Sequence, residues 1–168
     1  MVNNSKAICE ITIDKEGLWH FRGEEMRRFD IVQYLYSYLK VDEQGRYLIE
    51  IDNDRCYVDV EDAPYVIKSI VIIYSGKDRQ PVIELSISDG SNEILQSETR
   101  IWVGKENVLY CQVKNGRHHA RFSRSAYYEI CRHIEYDPET GNYSINLKNC
   151  SNHIFIYSLD QNGGSNVR

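Results

Sequence analysis

The sequence predicts an α+β fold built from two repeated motifs, each an antiparallel sheet with a helix, packed about a pseudo-two-fold axis. Three observations predict it. Apolar residues alternate with polar ones in segment after segment, only two segments carry a helical stripe, and those two stand in matching surroundings.

From Cys9 to Ile13 the chain alternates, with Ile11 and Ile13 on one face. Tyr57 to Val60 sets Val58 and Val60 against Tyr57 and Asp59. In Val82 to Ser88, Ile83, Leu85 and Ile87 face inward while Glu84, Ser86 and Ser88 face outward, and Tyr143, Ile145 and Leu147 repeat the pattern. A period of two marks strands with one wet face, the usual condition of antiparallel sheets. The most apolar stretch, Tyr65 to Tyr74, is broken by Lys68 and Ser69. It is about half the ~20 residues a membrane helix needs, and reads as a core strand.

The first helix is expected over Ile31 to Lys40, with Ile31, Leu35, Tyr38 and Leu39 on one face, Asp30 as N-cap and Gln33 completing a capping pair. The second is expected over Arg124 to Ile134, with Ser123 as N-cap and Ala126, Ile130 and Ile134 as its stripe. Arg28-Phe29 precedes the first helix and Arg121-Phe122 the second. A glycine turn and an alternating strand follow each: Gly45-x-Tyr47-x-Ile49-x-Ile51 and Gly141-x-Tyr143-x-Ile145-x-Leu147. Four features in the same order indicate a duplication. The expected parts are a first motif over 8–75, a second over 76–159, and loose polar tails at 1–7 and 160–168.

With 42% apolar and 27% charged residues the chain can bury a core and keep a wet surface, which excludes collagen, coiled coil and wholesale disorder. A net charge of −5 weighs against nucleic-acid binding, which needs basic surface to displace counterions, and against an anionic membrane. The N-terminal residues carry no apolar core of signal-peptide length. Five cysteines, an odd number with no C-x-x-C pair, read as buried thiols of a reducing cytoplasm.

Gly17-x-Trp19, Arg28-x-x-Ile31-Val32, Val60-Glu61-Asp62-Ala63-Pro64-Tyr65 and Ala120-Arg121-Phe122-Ser123-Arg124-x-Ala126-Tyr127-Tyr128 occur in that order. Together they resemble a bacterial family known as domain of unknown function 1285, over roughly residues 8 to 158. The resemblance implies a two-part α+β protein with repeated motifs and a ligand-binding or signalling role, and carries over no catalytic residue. The chain departs from the family's Asp-Gly pair before the tryptophan, having Lys15-Glu16-Gly17 there.

No hydrolase elbow, phosphate-binding loop, dinucleotide fingerprint or H-E-x-x-H is present. Cys131-x-His133 and Cys150-x-x-His153 have zinc-ligand types, but helix positions two apart point about 200° away from each other, so no metal is expected. His118-His119 reads as a solvated turn. From Asn107 to Tyr128 there is no acidic residue, whereas Glu50 to Asp62 holds Glu50, Asp52, Asp54, Asp59, Glu61 and Asp62 against Arg55 alone. These runs serve as complementary or solvated segments, or the basic one forms an anion site where helix amides and arginine forks converge. Protonation of His118 or His119 would strengthen such a site. The chain holds 13 tyrosines. Tyr34, Tyr38, Tyr47 and Tyr143 fit the core pattern, while Tyr36, Tyr65, Tyr128 and Trp19 fit a pocket wall or interface.

These readings converge on a non-catalytic ligand-binding or signalling module, with a groove between the repeats for a small anionic ligand or a protein segment. Arg28, Arg121 and Arg124 would hold the anion, Trp19 and Tyr65 would supply apolar wall, and Glu61 and Asp62 would fix orientation. One alternative is an enzyme of unrecognised type using Glu61 or Asp62 as acid/base, and another is a structural or oligomeric interaction protein. The expected cofactors are none, and the expected location is the cytoplasm, away from nucleic acid and membrane.

Overall fold

The computed structural model describes residues 8–77, 80–146 and 154–158; both expected tails, Leu147, Cys150 and His153 lie outside them. The chain divides into two compact units, Met1–Pro64 and Tyr65–Arg168. The first contains β1 (Ile8–Ile13), β2 (Trp19–Phe21), β3 (Glu24–Glu25), α1 (Phe29–Ser37), β4 (Leu39–Val41), β5 (Tyr47–Ile51) and β6 (Asp54–Val60). Its six-stranded sheet runs in the order β3-β2-β1-β6-β5-β4.

The second unit opens with β7 (Tyr65–Ser75), β8 (Gln80–Ile87) and β9 (Asn92–Ile94), followed by β10 (Ile101–Val103), β11 (Leu109–Val113), β12 (His118–Phe122), α2 (Arg124–Cys131), β13 (Ile134–Asp137), β14 (Asn142–Ile145) and β15 (Ile154–Ser158). Its nine-stranded sheet runs β13-β14-β15-β10-β11-β12-β7-β8-β9. The apolar stretch 65–74 is a strand as expected, and it falls in this unit because it pairs with β12 and β8.

The fold is α+β with two similar sheet-plus-helix halves, and the repeat is deeper than the residues announce. Both β1–β6 with α1 and β10–β15 with α2 are three strands, a helix and three strands. Both copies run third-second-first-last-fifth-fourth across the sheet, with the first strand beside the last in parallel and the fourth at an edge; the third strand is the other edge in the first sheet, whereas in the second sheet β7 continues past it. The sheets are therefore mixed rather than wholly antiparallel, since alternation reports a strand's wet face and not its direction. Register fixes the correspondence. Ile11, Thr12 and Ile13 pair with Phe21, His20 and Trp19 and with Val58, Asp59 and Val60. Ile101, Trp102 and Val103 pair likewise with Cys111, Tyr110 and Leu109 and with Ile156, Tyr157 and Ser158.

Turn chemistry repeats too. In Asp14-Lys15-Glu16-Gly17 the Asp14 amide donates to Leu18 O at 3.0 Å, and in Gly104-Lys105-Glu106-Asn107 the Gly104 amide donates to Val108 O at 2.8 Å. The last residue of each turn is left-handed, Gly17 at φ 78° and Asn107 at φ 59°, a conformation glycine and asparagine tolerate best. This settles the turn where the chain departs from the family pattern. Asp14 Oδ1 accepts the amides of Glu16 and Leu18 at 3.0 and 2.8 Å. Asp42 does the same for Gln44 and Arg46 before β5.

Both helices are shorter than expected. Arg28, not Asp30, stands at the N-cap of α1 and makes no side-chain cap bond. Asp30 lies in the first turn and takes Arg28 instead, at 2.6 Å. The buried stripe is Val32 and Tyr36, while Ile31 is 41% exposed, and Leu39 and Lys40 leave the helix because Leu39 pairs with Ile49 in the sheet. In α2 the Ser123 cap forms as read, and Ala126 and Ile130 are buried; Ile134 pairs with Ile145 in β13. Tyr34 and Tyr143 are exposed, not core; each lies against another tyrosine, Tyr38 or Tyr136, at 4.9 Å.

The parallel pairing of β1 with β6 sets Cys9 and Cys56 side by side, with Cα atoms 5.5 Å apart, a span that a disulfide can bridge. Neither cysteine count nor spacing announces this juxtaposition. Cys111 and Cys131 are free thiols. No helix among the described residues is long and apolar enough to cross a membrane.

Candidate functional site

The residues singled out in the sequence serve separate local roles. In the first unit Trp19 is 1% exposed and meets Tyr36 edge-on at 4.8 Å, while Tyr36 Oη donates to Pro64 O at 3.1 Å. Trp19 is thus part of that unit's core. Arg28 forks onto Asp30 at 3.2 and 2.6 Å from an exposed position. Glu61 Oε2 accepts the Lys15 amide at 3.2 Å, and Asp62 follows, partly buried, in the bend after β6.

In the second unit Tyr65 is buried at the start of β7, level with Ala120 of β12. Arg121, one residue on, pairs with Val66 and Tyr110, so Tyr65 and Arg121 face opposite sides of the sheet. Arg124 opens α2 and lies over the Tyr128 ring at 5.8 Å; its hydrogen bond to Tyr128 raises its pKa. Arg28 and Arg121 are not equivalent after all. The N-cap of α1 is Arg28 and that of α2 is Ser123, which shifts the Arg-Phe match out of register. Ser123 Oγ accepts the Ala126 amide at 3.2 Å, so this helix start is capped by its own hydroxyl.

The inner face carries a cluster the sequence did not announce. Lys114 Nζ lies 2.7 Å from Asp89 Oδ2 and 3.3 Å from Glu93 Oε1, donates to Ser91 Oγ and stands 5.4 Å from the Tyr65 ring centre. The Lys114 amide donates to both Glu93 oxygens at 3.1 Å. These bonds tie the loop around β9 to the β11–β12 turn, where Lys114, Asn115 and Gly116 are all left-handed, at φ 56°, 56° and 77°. Burial works against charge on Asp89, but Lys114 and Ser91 outweigh it and hold the carboxyl below its usual value. Burial pushes the Cys111 thiol up, with the Glu93 charge adding to it.

His118 and His119 lie in β12, not in a turn. His118 belongs to the inner face, 5.2 Å from Tyr65. Burial lowers its pKa, helped by the Arg117, His119 and Lys114 charges, so it is not a ready cation at mildly acidic pH. A depressed histidine contributes stability above its unfolded pKa and loses it on acidification. The protein is therefore expected to lose stability as pH falls below about 6.5, and a His118→Asn variant to lack that part of the slope in denaturant titrations across pH.

On the outer face Trp102 and Tyr110 lie 15° from parallel with ring centres 5.7 Å apart. His119 leans against both at 6.2 and 6.3 Å. Arg100 reaches over Trp102 at 5.9 Å, and Arg121 is the cross-strand partner of Tyr110. Gly104 makes room for the Tyr110 ring: a Cβ there would stand 2.6 Å from Tyr110 Cε2. At the equivalent place in the first unit Asp14 Oδ2 holds His20 Nε2 at 2.9 Å. The aromatic cluster escaped sequence reading because Trp102, Tyr110 and His119 come from three strands; the acid-free run was its one visible sign.

Two clefts compare poorly with this face. One of 710 Å³, beside the β11–β12 turn, includes Glu93 and Glu98 with Lys114 and Arg117. The other, of 440 Å³ in the first unit, includes Glu43 and Glu50 with Lys40 and Arg55. Mixed charge selects no anion in either. Among the described residues no cluster of His, Cys, Asp and Glu suits a metal ion; the Cys150–His153 pair lies outside them.

No protein-family profile matches the chain, and no curated protein matches it. Solved structures with this fold do exist. A DUF1285 family protein from Silicibacter pomeroyi DSS-3 superposes with a TM-score of 0.70 at 19% identity, over 89% of this chain and 79% of that one. One from Shewanella baltica OS155 gives 0.58 at 18% identity, over 76% of this chain and 94% of that one. Both belong to the family that the sequence blocks resemble, and the chain has the fold of those DUF1285 family proteins.

Proposed function

We propose that this protein is a non-catalytic module that binds a small anionic ligand in a sensing or signalling role. The observation that supports the reading is the outer face of β10–β12. Arg121 and the exposed Arg100 stand there with Trp102, Tyr110 and His119, and the run 107–128, which supplies β11 and β12, has no carboxylate. Guanidinium groups beside partly buried rings bind anions more strongly than in open water, because fewer competing waters and a lower local dielectric strengthen each charged hydrogen bond.

A thermal-shift panel of inorganic pyrophosphate, ribose 5-phosphate, citrate and 5′-mononucleotides tests it. A ligand at 100 times its Kd adds about 2.7 kcal/mol, which raises Tm by several degrees in a chain of this size. Loss of a charged hydrogen bond weakens binding by roughly ten- to a hundredfold, so Arg121→Ala is expected to abolish the shift. A panel without any shift, or a shift that survives in Arg121→Ala, sinks the reading.

A further inference from the structure

Resting on that reading, we infer that the ligand is a 5′-mononucleotide, its base stacked against the Trp102–Tyr110 pair and its phosphate held by Arg121, with Arg100 at the rim. The two copies of the fold argue for it by their differences. Where the first copy has Thr12 paired with His20, the second has Trp102 paired with Tyr110. Where the first has Asp14 bonded to His20, the second has Gly104 under the Tyr110 ring. The second copy has thus exchanged the Asp14 carboxylate for a glycine, a threonine for an indole, and an imidazole for a phenol ring.

That exchange yields two nearly parallel ring planes, 15° apart, with His119 as an inclined side wall at 51° to Trp102 and 60° to Tyr110. Gly104 has ordinary backbone angles, φ −96° and ψ −159°, so its lack of a side chain serves the ring and not the backbone. A purine or pyrimidine matches such a surface in shape, and stacking on an aromatic ring depends on the base's π-face rather than its sequence. A sugar would also stack, but its hydroxyls need acceptors, and Trp102 and Gly104 supply no carboxylate where the first copy has Asp14. Arginine forks beside the rings suit a phosphate monoester.

Tryptophan emission reads the site, because Trp19 is 1% exposed in a core while Trp102 is partly exposed. Titration with AMP, GMP and UMP is expected to quench Trp102, with affinity at least tenfold tighter than ribose 5-phosphate, the weight of one stacked base. By calorimetry Trp102→Leu is expected to lose about tenfold and Trp102→Tyr to retain most of the binding. Gly104→Asp, which restores the first copy's carboxylate, is expected to abolish binding, and a far-UV circular-dichroism spectrum and urea midpoint like those of the wild type report that the variants are folded. Ribose 5-phosphate binding as tightly as the nucleotides overturns this inference and leaves the anion module standing. Failure of nucleotides and ribose 5-phosphate alike overturns the inference, and the module falls too if citrate and pyrophosphate also fail. A single-stranded oligonucleotide that binds a hundredfold tighter than any mononucleotide overturns it in favour of RNA.

Discussion

Replacing Lys114 by alanine is expected to cost the second unit about 3 kcal/mol, the lower end for breaking a buried ion pair. The lower end applies because the Lys114 and Asp89 side chains keep 17% and 14% exposure. The loss is large because one ammonium serves Asp89, Glu93 and Ser91 together. Without it two carboxylates face each other across the end of β9, and the strained turn at residues 114–116 loses the side-chain anchor that holds its left-handed backbone. Acid distinguishes this mechanism from lost packing. Asp89 is held below its usual pKa, so its contribution is present above the unfolded value of about 3.9 and is lost as pH falls through the folded value. In Lys114→Ala the repulsion itself disappears on protonation. The gap between wild type and variant in urea denaturation is therefore expected to narrow below pH 4; a gap equal at pH 3 and pH 7 would show that charge is not what Lys114 contributes.

Oxidising the adjacent Cys9 and Cys56 to a disulfide is expected to stabilise the first unit by about 4 kcal/mol, the chain-entropy value for a loop of this length. The two residues are 47 apart in sequence and both are partly exposed, so oxidant and reductant can reach them. Denaturation with and without reductant gives the number, and Cys9→Ser should reproduce the reduced midpoint in oxidising buffer. Alkylation after oxidation is expected to spare Cys9 and Cys56. Labelling of both at once, with identical midpoints in the two buffers, would remove the cross-link from the account.

How much of this was legible depended on what each residue reports. Alternation in Val82–Ser88 gave the β8 faces correctly, because Ile83, Leu85 and Ile87 are buried to within 2%. The duplication was legible only where a helix is followed by a glycine turn. There the backbone demands a residue type, so both copies keep it at Gly45 and Gly141, φ 76° and 72°. The remaining strands of the repeat need only a buried face, and Ile13 and Val103 satisfy it with different residues. The match of Lys15-Glu16-Gly17 to Lys105-Glu106-Asn107 lay in the sequence, but only strand register shows it to be a correspondence. Arg28 and Arg121 misled because a shared dipeptide was given more weight than the cap, and Ser123 was the better marker. The clusters around Lys114 and around Trp102 were illegible for one reason: each is assembled by strand order, which no local pattern encodes.

That strand order also sets a clock. In each half the first and last strands lie side by side in parallel, β1 with β6 and β10 with β15. Neither seam can close until nearly the whole half has been synthesised, whereas the hairpins β1–β2 and β4–β5 join neighbouring stretches of chain. Such long-range closure carries a high contact order and places folding toward the slow, millisecond-to-second end of the small-domain range. In the first half a bond between the adjacent Cys9 and Cys56 would span that seam and, once made, would shorten the search on every later refolding. The described residues of the second half hold no such staple across β10 and β15, and the same closure there must be found afresh each time.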